Sequence, residues 1–191
     1  WPVRLYQRDP VTELGNLHLL LNLSASPFHL GKERTRYEML QAVARQHRVP
    51  LAYCNLVGGN DELIFDGNSI VFDAAGNLIA QGAAFQEDLL LVKLDGAAPA
   101  VPRPVDHIAS LHDALVLGLR DYVQKCGFKS VVLGLSGGID SAVTACLAVS
   151  ALGAGNVMGV SMPSQFSSKG SVEDARQLAH NLGIRWAILP I

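Results

Sequence analysis

The hydrophobic pattern of the chain changes character near its middle. Before residue 95, short apolar runs predict strands, and one amphipathic segment predicts a helix over 32–48. The predicted buried face of that helix comprises Tyr37, Leu40, Val43 and Ala44. After residue 105, strands and helices alternate, which is typical of a parallel sheet covered by helices. The pattern therefore predicts an α/β protein with two unlike parts.

The first part is predicted to be rich in strands. The apolar run of 16–24 is continuous, which indicates a strand covered on both faces. Further strands are predicted over 50–58 and 88–95, and a hairpin over 67–82 that turns at Ala75–Asn77. This part is therefore expected to combine a helix with partly antiparallel strands.

The second part is predicted to alternate strictly. Helices are predicted over 107–126, 140–152 and 172–182, with strands over 130–135, 156–162 and 185–191. Loops 136–138 and 163–171 each follow a strand. Because ligands bind beyond the carboxyl ends of parallel strands, both loops are expected to open on one crevice.

Composition narrows the class of protein. The 191 residues are 49% hydrophobic and 17% charged, with a formal net charge of −2. This balance is typical of a soluble globular protein and gives no sign of a nucleic-acid or membrane partner. The three cysteines are far apart, so they predict free thiols in a cytoplasmic protein. A segment with three prolines predicts a linker at 96–105 between domains at 1–95 and 106–191.

The stretch GLSGGIDSA carries the most specific chemistry. Gly137 and Gly138 allow backbone N–H groups to surround an anion, and the following helix directs its positive end at it. Ser136 and Ser141 can donate to phosphate oxygens, and Asp140 suits a Mg²⁺ ion bound with those phosphates. A Walker A lysine is missing, which favours a pyrophosphate that leaves after attack at the α-phosphate of ATP.

Residues 136–141, SGGIDS, resemble the pyrophosphate loop of ATP pyrophosphatases, the PP-loop families. The strings GLSGGIDSAVTACLA and GVSMPSQFSSKGSVEDARQLAHNLGI resemble glutamine-dependent NAD(+) synthetases. NLSASPFHLGKERTR and NLVGGNDELIFDGNSIVFD resemble the glutaminase domain of the same family. The resemblance implies the C-terminal part of a nitrilase-like α-β sandwich, followed by the start of a doubly wound, adenine nucleotide alpha hydrolase-like domain.

The resemblance also implies a reaction and its site residues. Deamido-NAD is adenylated by ATP, and ammonia from glutamine displaces AMP to give NAD. The implied partners are deamido-NAD, ATP with Mg²⁺, and glutamine, and the implied assembly is a homo-oligomer. The implied ATP-binding residues are Gly134, Leu135, Ser136, Gly137, Gly138, Ile139, Asp140, Ser141 and Met162. Ser136 is central among them, Asp140 is the implied Mg²⁺ ligand, and loop 164–171 is a further candidate for phosphate contact.

In the first part, the resemblance places Ser26 and Lys32 at the substrate glutamine. The Glu, Lys and Cys of the glutaminase are expected upstream of Trp1, outside this sequence, and further Mg²⁺ and deamido-NAD contacts beyond Ile191. Cys54 lies in an apolar segment and is expected to be a buried core residue rather than the nucleophile. His29 is expected to form a loop hydrogen bond.

Two other interpretations and one local ambiguity stay open. Another PP-loop adenylating amidotransferase would share SGGIDS but not NLSASPFH, and a nitrilase-type amidase with a vestigial second domain would not need an intact SGGIDS. Asp61, Glu62 and Asp66 are expected either to form hydrogen bonds in a turn or to shape the glutamine pocket and ammonia path.

Overall fold

The computed structural model describes residues 9–191, so Trp1 lies outside the described residues. The described chain forms two compact units. The first comprises residues 9–58 and Leu63–Leu111, and the second Gly59–Glu62 and His112–Ile191. The division at Leu111 falls inside a helix, and the proposed domain boundaries at 95 and 106 stay a prediction.

The first unit is built around a mixed sheet. Its elements are α1 Pro10–Glu13, β1 Leu20–Ser24, α2 Lys32–His47, β2 Leu51–Asn55, β3 Val57–Asn60, β4 Leu63–Asp66, β5 Ile70–Phe72 and β6 Leu78–Gln81. Strand β3 begins in this unit, and its last two residues belong to the second unit. The sheet order is β1-β2-β5-β6, with β1 parallel to β2 and the other pairs antiparallel. Strands β3 and β4 form a separate pair. The mixed sheet explains why continuous and alternating apolar patterns occur together.

Helix α2 packs its predicted face on the sheet. Leu40 and Ala44 are fully buried, and Tyr37 contacts Phe72 edge to face with ring centroids 5.0 Å apart. Val43 packs against the same core. The predicted helical face is therefore confirmed. One member was not predicted: Arg36 lies on this face and is 4% exposed.

Three local predictions are wrong. Segment 88–95 forms no strand, and its Leu89 and Leu91 are exposed, because this apolar run has no strand partner among the described residues. Strand β1 is not covered on both faces by the described chain, since Leu21 and Leu23 are exposed. Asp66 lies in β4 rather than in a turn, whereas Asp61 and Glu62 do lie in the turn before this strand.

The second unit contains a parallel sheet. Its main elements are α3 His107–Lys125, which begins in the first unit, β7 Val131–Gly134, α4 Ile139–Leu152, β8 Val157–Ser161, α5 Lys169–Leu182 and β9 Arg185–Ile188. A short 3-10 turn at Ala154–Asn156 leads into β8. The strands are parallel in the order β7-β8-β9. The predicted alternation of strands and helices is confirmed.

Small side chains bring the helices of this unit close to the sheet and to each other. Ala145 and Ala148 of α4 and Ala175 and Ala179 of α5 are buried in one core with Val157. Helices α4 and α5 pack on each other, so they cover the same face of the sheet. The three described strands follow chain order, and the strand reversal of a doubly wound sheet stays a prediction. Within residues 9–191, no helix has the length and apolarity needed to cross a bilayer.

Candidate functional site

The proposed phosphate loop, residues 135–138, connects β7 to α4. It is organised by Ser136 within the loop and Ser141 in the first turn of α4. Ser136 and Ser141 hydroxyls lie 3.1 Å apart, and the Gly138 N–H donates to Ser136 Oγ at 3.2 Å. Ser141 Oγ also donates to the Gly138 carbonyl at 2.9 Å. The loop residues from Ser136 to Asp140 are exposed at the start of a 14-residue helix. This geometry presents hydroxyls and a helix N-terminus to solvent, which suits an anion.

Gly137 is required by both conformation and packing. Its φ is +83°, in the region that favours glycine. A Cβ at this position would overlap the backbone of Ser171, at the start of α5. The loop after β7 therefore packs directly against the first turn of α5. The expectation that two loops face one crevice is confirmed by this contact.

A cavity of about 340 Å³ lies beside this contact. Its lining includes Leu135, Ser136, Met162, Phe166, Ser167, Ser168 and Ser171. Most of its polar groups are hydroxyls, and Ser168 caps α5 by accepting from the Ser171 N–H at 3.0 Å. The N-terminus of α5 and several hydroxyls thus line a space suited to phosphate. The predicted loop 164–171 contributes to it, and Met162 also lies against Gly134.

Ser161 organises the strand ends and was not predicted from the sequence. It is 2% exposed, donates to the Leu135 carbonyl at 3.0 Å and accepts from Trp186 Nε1 at 3.1 Å. One hydroxyl therefore joins the carboxyl ends of β7 and β8 to the side chain of Trp186 in β9. The sequence could have revealed Ser161 as a polar residue at a position of β8 that alternation directs to the core.

Asp140 lies in the first turn of α4 with an exposed side chain. No group of three metal-ligating His, Cys, Asp or Glu side chains occurs within residues 9–191. Mg²⁺ is commonly held by only one or two carboxylates together with substrate phosphates. A single carboxylate beside the phosphate loop fits that donor set. Ile139 is exposed next to it and contributes its backbone to the helix start.

In the first unit, Ser26 and Lys32 are joined through the segment between them. The Lys32 ammonium donates to the Pro27 carbonyl at 2.7 Å. The Ser26 N–H donates to Asn55 Oδ1 at 2.9 Å. Both side chains are partly buried, so the two residues bracket one short, restrained segment.

A buried ion pair lies behind this segment. Arg36 and Asp66 form two hydrogen bonds, at 3.1 and 2.6 Å, and both side chains are buried. Burial opposes the charge of Arg36, but hydrogen bonding and attraction from Asp66 outweigh it and raise the pKa of Arg36. Asp66 is therefore part of a buried network rather than a turn. The sequence could have revealed Arg36 by its spacing, because it lies four residues before Leu40 and eight before Ala44 and so shares their helical face.

The expectation that Cys54 is a buried core residue is wrong. Its thiol is exposed, because alternation in β2 directs it to the sheet face that the described chain leaves open. It lines a cavity of about 670 Å³ together with Ser24, Asn55, Ser69 and Glu87. Cys126 and Cys146 are also exposed free thiols.

The other polar candidates have modest roles. His29 Nδ1 lies 3.2 Å from the Leu30 carbonyl, so the predicted loop hydrogen bond is confirmed. Asp61 and Glu62 are exposed at the turn between β3 and β4. They are thereby separated from buried Asp66, with which the sequence had grouped them.

Sequence comparisons agree along the whole chain. The NAD synthase family profile matches residues 111–191. A glutamine-dependent NAD(+) synthetase from Synechocystis is 44% identical over all of this chain and 36% of its own length. That from Aquifex aeolicus is 45% identical over 94% of this chain and 38% of its own length. The chain thus spans somewhat over a third of the length of these relatives.

Solved structures give the same result. A glutamine-dependent NAD+ synthetase from Acinetobacter baumannii, in complex with adenosine diphosphate, matches with a TM-score of 0.85 and 40% identity. The match covers 95% of this chain and 36% of that one. A second such synthetase, from Cytophaga hutchinsonii, matches in fold with a TM-score of 0.80 at 22% identity, over 93% of this chain and 36% of that one. By sequence and fold, the chain is similar to one part of glutamine-dependent NAD(+) synthetases, and its residues 111–191 match the NAD synthase family profile.

Proposed function

We propose that this chain is part of an enzyme that amidates deamido-NAD to NAD. In this reaction ATP adenylates the nicotinate carboxylate, and ammonia released from glutamine displaces AMP. The observation that carries the proposal is the phosphate loop, where Gly137, Ser136 and Ser141 present donors at the start of α4. The bound ADP named for the Acinetobacter baumannii relative supports an adenine nucleotide as ligand.

The loop contributes binding and orientation. Ser136, Ser141 and the backbone N–H groups at the helix start bind the β- and γ-phosphates, while Leu135 and Gly134 lead into the loop. Donors that do not move stabilise the charge that develops on the leaving pyrophosphate without reorganisation. No lysine is needed to hold a γ-phosphate for transfer, because both outer phosphates leave together. The serine hydroxyls around the neighbouring cavity extend the same donor surface.

Asp140 is the residue proposed to hold Mg²⁺. The ion would neutralise phosphate charge that the exposed carboxylate otherwise repels. Met162 packs against Gly134 and borders the cavity, and it is proposed to contact the adenine. These two assignments place the base and the phosphates at adjacent strand ends, as expected for a parallel sheet.

The first unit is proposed to bind glutamine through Ser26 and Lys32. The hydrogen bonds to Asn55 and Pro27 restrain both residues next to one partly buried segment. We further propose that the enzyme works in the cytoplasm as a homo-oligomer. The free thiols are consistent with a reducing compartment.

The test uses the longest natural polypeptide that carries this chain. Deamido-NAD, Mg-ATP and glutamine are supplied, and NAD, AMP, pyrophosphate and glutamate are measured together. One AMP and one pyrophosphate per NAD are expected. ADP and inorganic phosphate formed with NAD would contradict α-phosphate chemistry. Glutamate formation without any dependence of NAD on ATP would favour an amidase instead.

Ser136→Ala tests the site itself. Loss of a preorganised donor to developing charge is expected to lower ammonia-dependent NAD synthesis by about 100-fold. Ser150→Ala is the matched control, since Ser150 is an exposed serine near the C-terminal end of α4, outside the loop. Equal activity of both variants would exclude Ser136 from the site.

A further inference from the structure

The segment at the proposed glutamine site is restrained on two sides. Pro27 pairs with Phe65 of β4 as an isolated antiparallel bridge, and the Phe28 N–H donates to the Ile64 carbonyl at 2.6 Å. Lys32 holds the Pro27 carbonyl from the start of α2. The position of this segment therefore depends on β4 and α2 rather than on β1 alone.

Asn55 holds the backbone of Ser26 by both of its polar groups. Asn55 Oδ1 accepts from the Ser26 N–H at 2.9 Å, and Nδ2 donates to the Ser26 carbonyl at 3.4 Å. Asn55 is 7% exposed, so water cannot readily replace these bonds. One side-chain amide thus fixes the peptide groups on either side of Ser26.

Asp66 determines which way the Asn55 amide faces. Asn55 Nδ2 also donates to Asp66 Oδ1 at 3.3 Å. An ionised carboxylate only accepts hydrogen bonds, so the amide nitrogen has to face Asp66 and the amide oxygen has to face Ser26. Arg36 holds the Asp66 carboxylate in a fixed orientation by two hydrogen bonds. The amide orientation is consequently imposed by a charge behind it.

The buried pair is a costly way to stabilise a core. Both partners are desolvated, and Arg36 Nε has no hydrogen-bond partner among the described residues. Replacing such a pair by apolar side chains of similar volume is often neutral or stabilising. Stability alone therefore gives no reason for a charge at this place, whereas orientation of Asn55 does.

We infer that Asn55, oriented by the Arg36–Asp66 pair, is the positioning residue for Ser26 in the glutamine site. The inference rests on the proposed function of Ser26. The hydrogen bonds of the Asn55 side chain are to the Ser26 backbone and to Asp66, so its removal is expected to displace Ser26 without removing the Ser26 side chain. Its effect is expected on glutamine binding and not on the synthetase reaction.

The experiment measures Asn55→Leu in the longest natural polypeptide, with glutamine and with ammonia as nitrogen source. KM for glutamine is expected to rise about tenfold, as for loss of one hydrogen-bonded contact. Ammonia-dependent NAD synthesis is expected to stay within about twofold. A glutamine KM within about twofold of the unaltered protein, whatever the change in melting temperature, would overturn the inference.

A second pair of variants keeps the test decisive if Asn55→Leu does not fold. Arg36→Met with Asp66→Leu replaces the charges by apolar groups, and Asp66→Asn removes only the charge. The double variant is expected to fold, whereas Asp66→Asn leaves the Arg36 charge without its partner and is expected to be less stable. Both are expected to raise KM for glutamine by at least about threefold. Equal loss of glutamine- and ammonia-dependent kcat, with KM unchanged, would show a merely structural role.

Arg34→Ala is the matched control, because Arg34 lies on the same helix in an exposed ion pair with Glu38. It is expected to change neither KM nor kcat. Failure of the proposed function has a different signature. In that case the unaltered protein makes no glutamine-dependent NAD, whereas failure of the positioning role leaves that activity intact and insensitive to Asn55.

Discussion

The candidate sites of the two units are formed by different kinds of chemical groups. In the second unit, the phosphate loop is exposed and uses hydroxyls, backbone N–H groups and a helix start. In the first unit, the segment at Ser26 is backed by a fully buried ion pair. The difference follows from the ligands proposed for each. A polyanion can be bound by backbone donors at a surface, whereas a small amino acid requires side chains whose positions are determined from inside the protein.

The comparison also separates two kinds of vulnerability. The phosphate loop depends on conformation, so a single added methyl group should disable it. The Ser26 segment depends on buried charge, so loss of one partner should destabilise the unit. Four experiments examine this contrast, from the largest expected effect to the smallest.

Removing Asp66 tests the buried charge. Asp66→Ala leaves the Arg36 guanidinium buried and unpaired, which is expected to cost about 3–5 kcal/mol of unfolding free energy. Urea unfolding of the full chain measures this change. Glu38→Ala, which removes the exposed partner of Arg34, is expected to have no measurable effect. Similar shifts for both variants would remove the distinction between the buried and exposed ion pairs.

Adding a methyl group to Gly137 tests the conformational site. Gly137→Ala is strained at a φ of +83° and would overlap the Ser171 backbone. Displacement of the loop is expected to weaken ADP binding roughly 100-fold, measured by calorimetry. Gly153→Ala is the control, because its φ is +80° but no atom lies within 4 Å of the added Cβ. It is expected to cost about 1–3 kcal/mol of stability and to leave ADP binding unchanged.

Ser168 separates helix capping from anion binding. Ser168→Ala removes the 3.0 Å bond from the Ser171 N–H and is expected to cost about 1 kcal/mol of unfolding free energy. Ser168→Asp restores the cap but brings a negative charge into the cavity. It is expected to unfold like the unaltered protein while binding ADP more weakly. Unchanged ADP binding by Ser168→Asp would remove this cavity from the site.

The turn between β5 and β6 gives the smallest effect. Partial burial acts to raise the pKa of Asp73, but hydrogen bonds from Asn77 and from the backbone at 75–77 outweigh it and lower the pKa below 3.8. The ionised form is therefore favoured by folding. This stability is present above about pH 4 and is lost as pH falls through the lowered pKa. Asp73→Asn should reduce the loss of unfolding free energy below about pH 4, by less than about 1 kcal/mol. Urea unfolding at several pH values measures this change.

Much of the fold could be predicted because most elements carry their own periodicity. Helix α2 and the elements from β7 to β9 follow apolar patterns that a single sequence displays. The pattern failed at 88–95, where strand-forming residues have no strand partner among the described residues. It failed again at Cys54, because apolar neighbours indicate burial but do not reveal which face of a sheet is covered. Pairing and coverage are non-local properties.

The sequence by itself determined the phosphate loop. Its glycines, hydroxyls and helix start are contiguous between Gly134 and Ser141, so their geometry follows from local backbone preferences. Only the tertiary structure decided the support of Ser26. Arg36, Asn55 and Asp66 lie on three different elements and are far apart in the sequence. The role of a buried charge depends on the group that it pairs with, and that group is identified only from the packing of the elements.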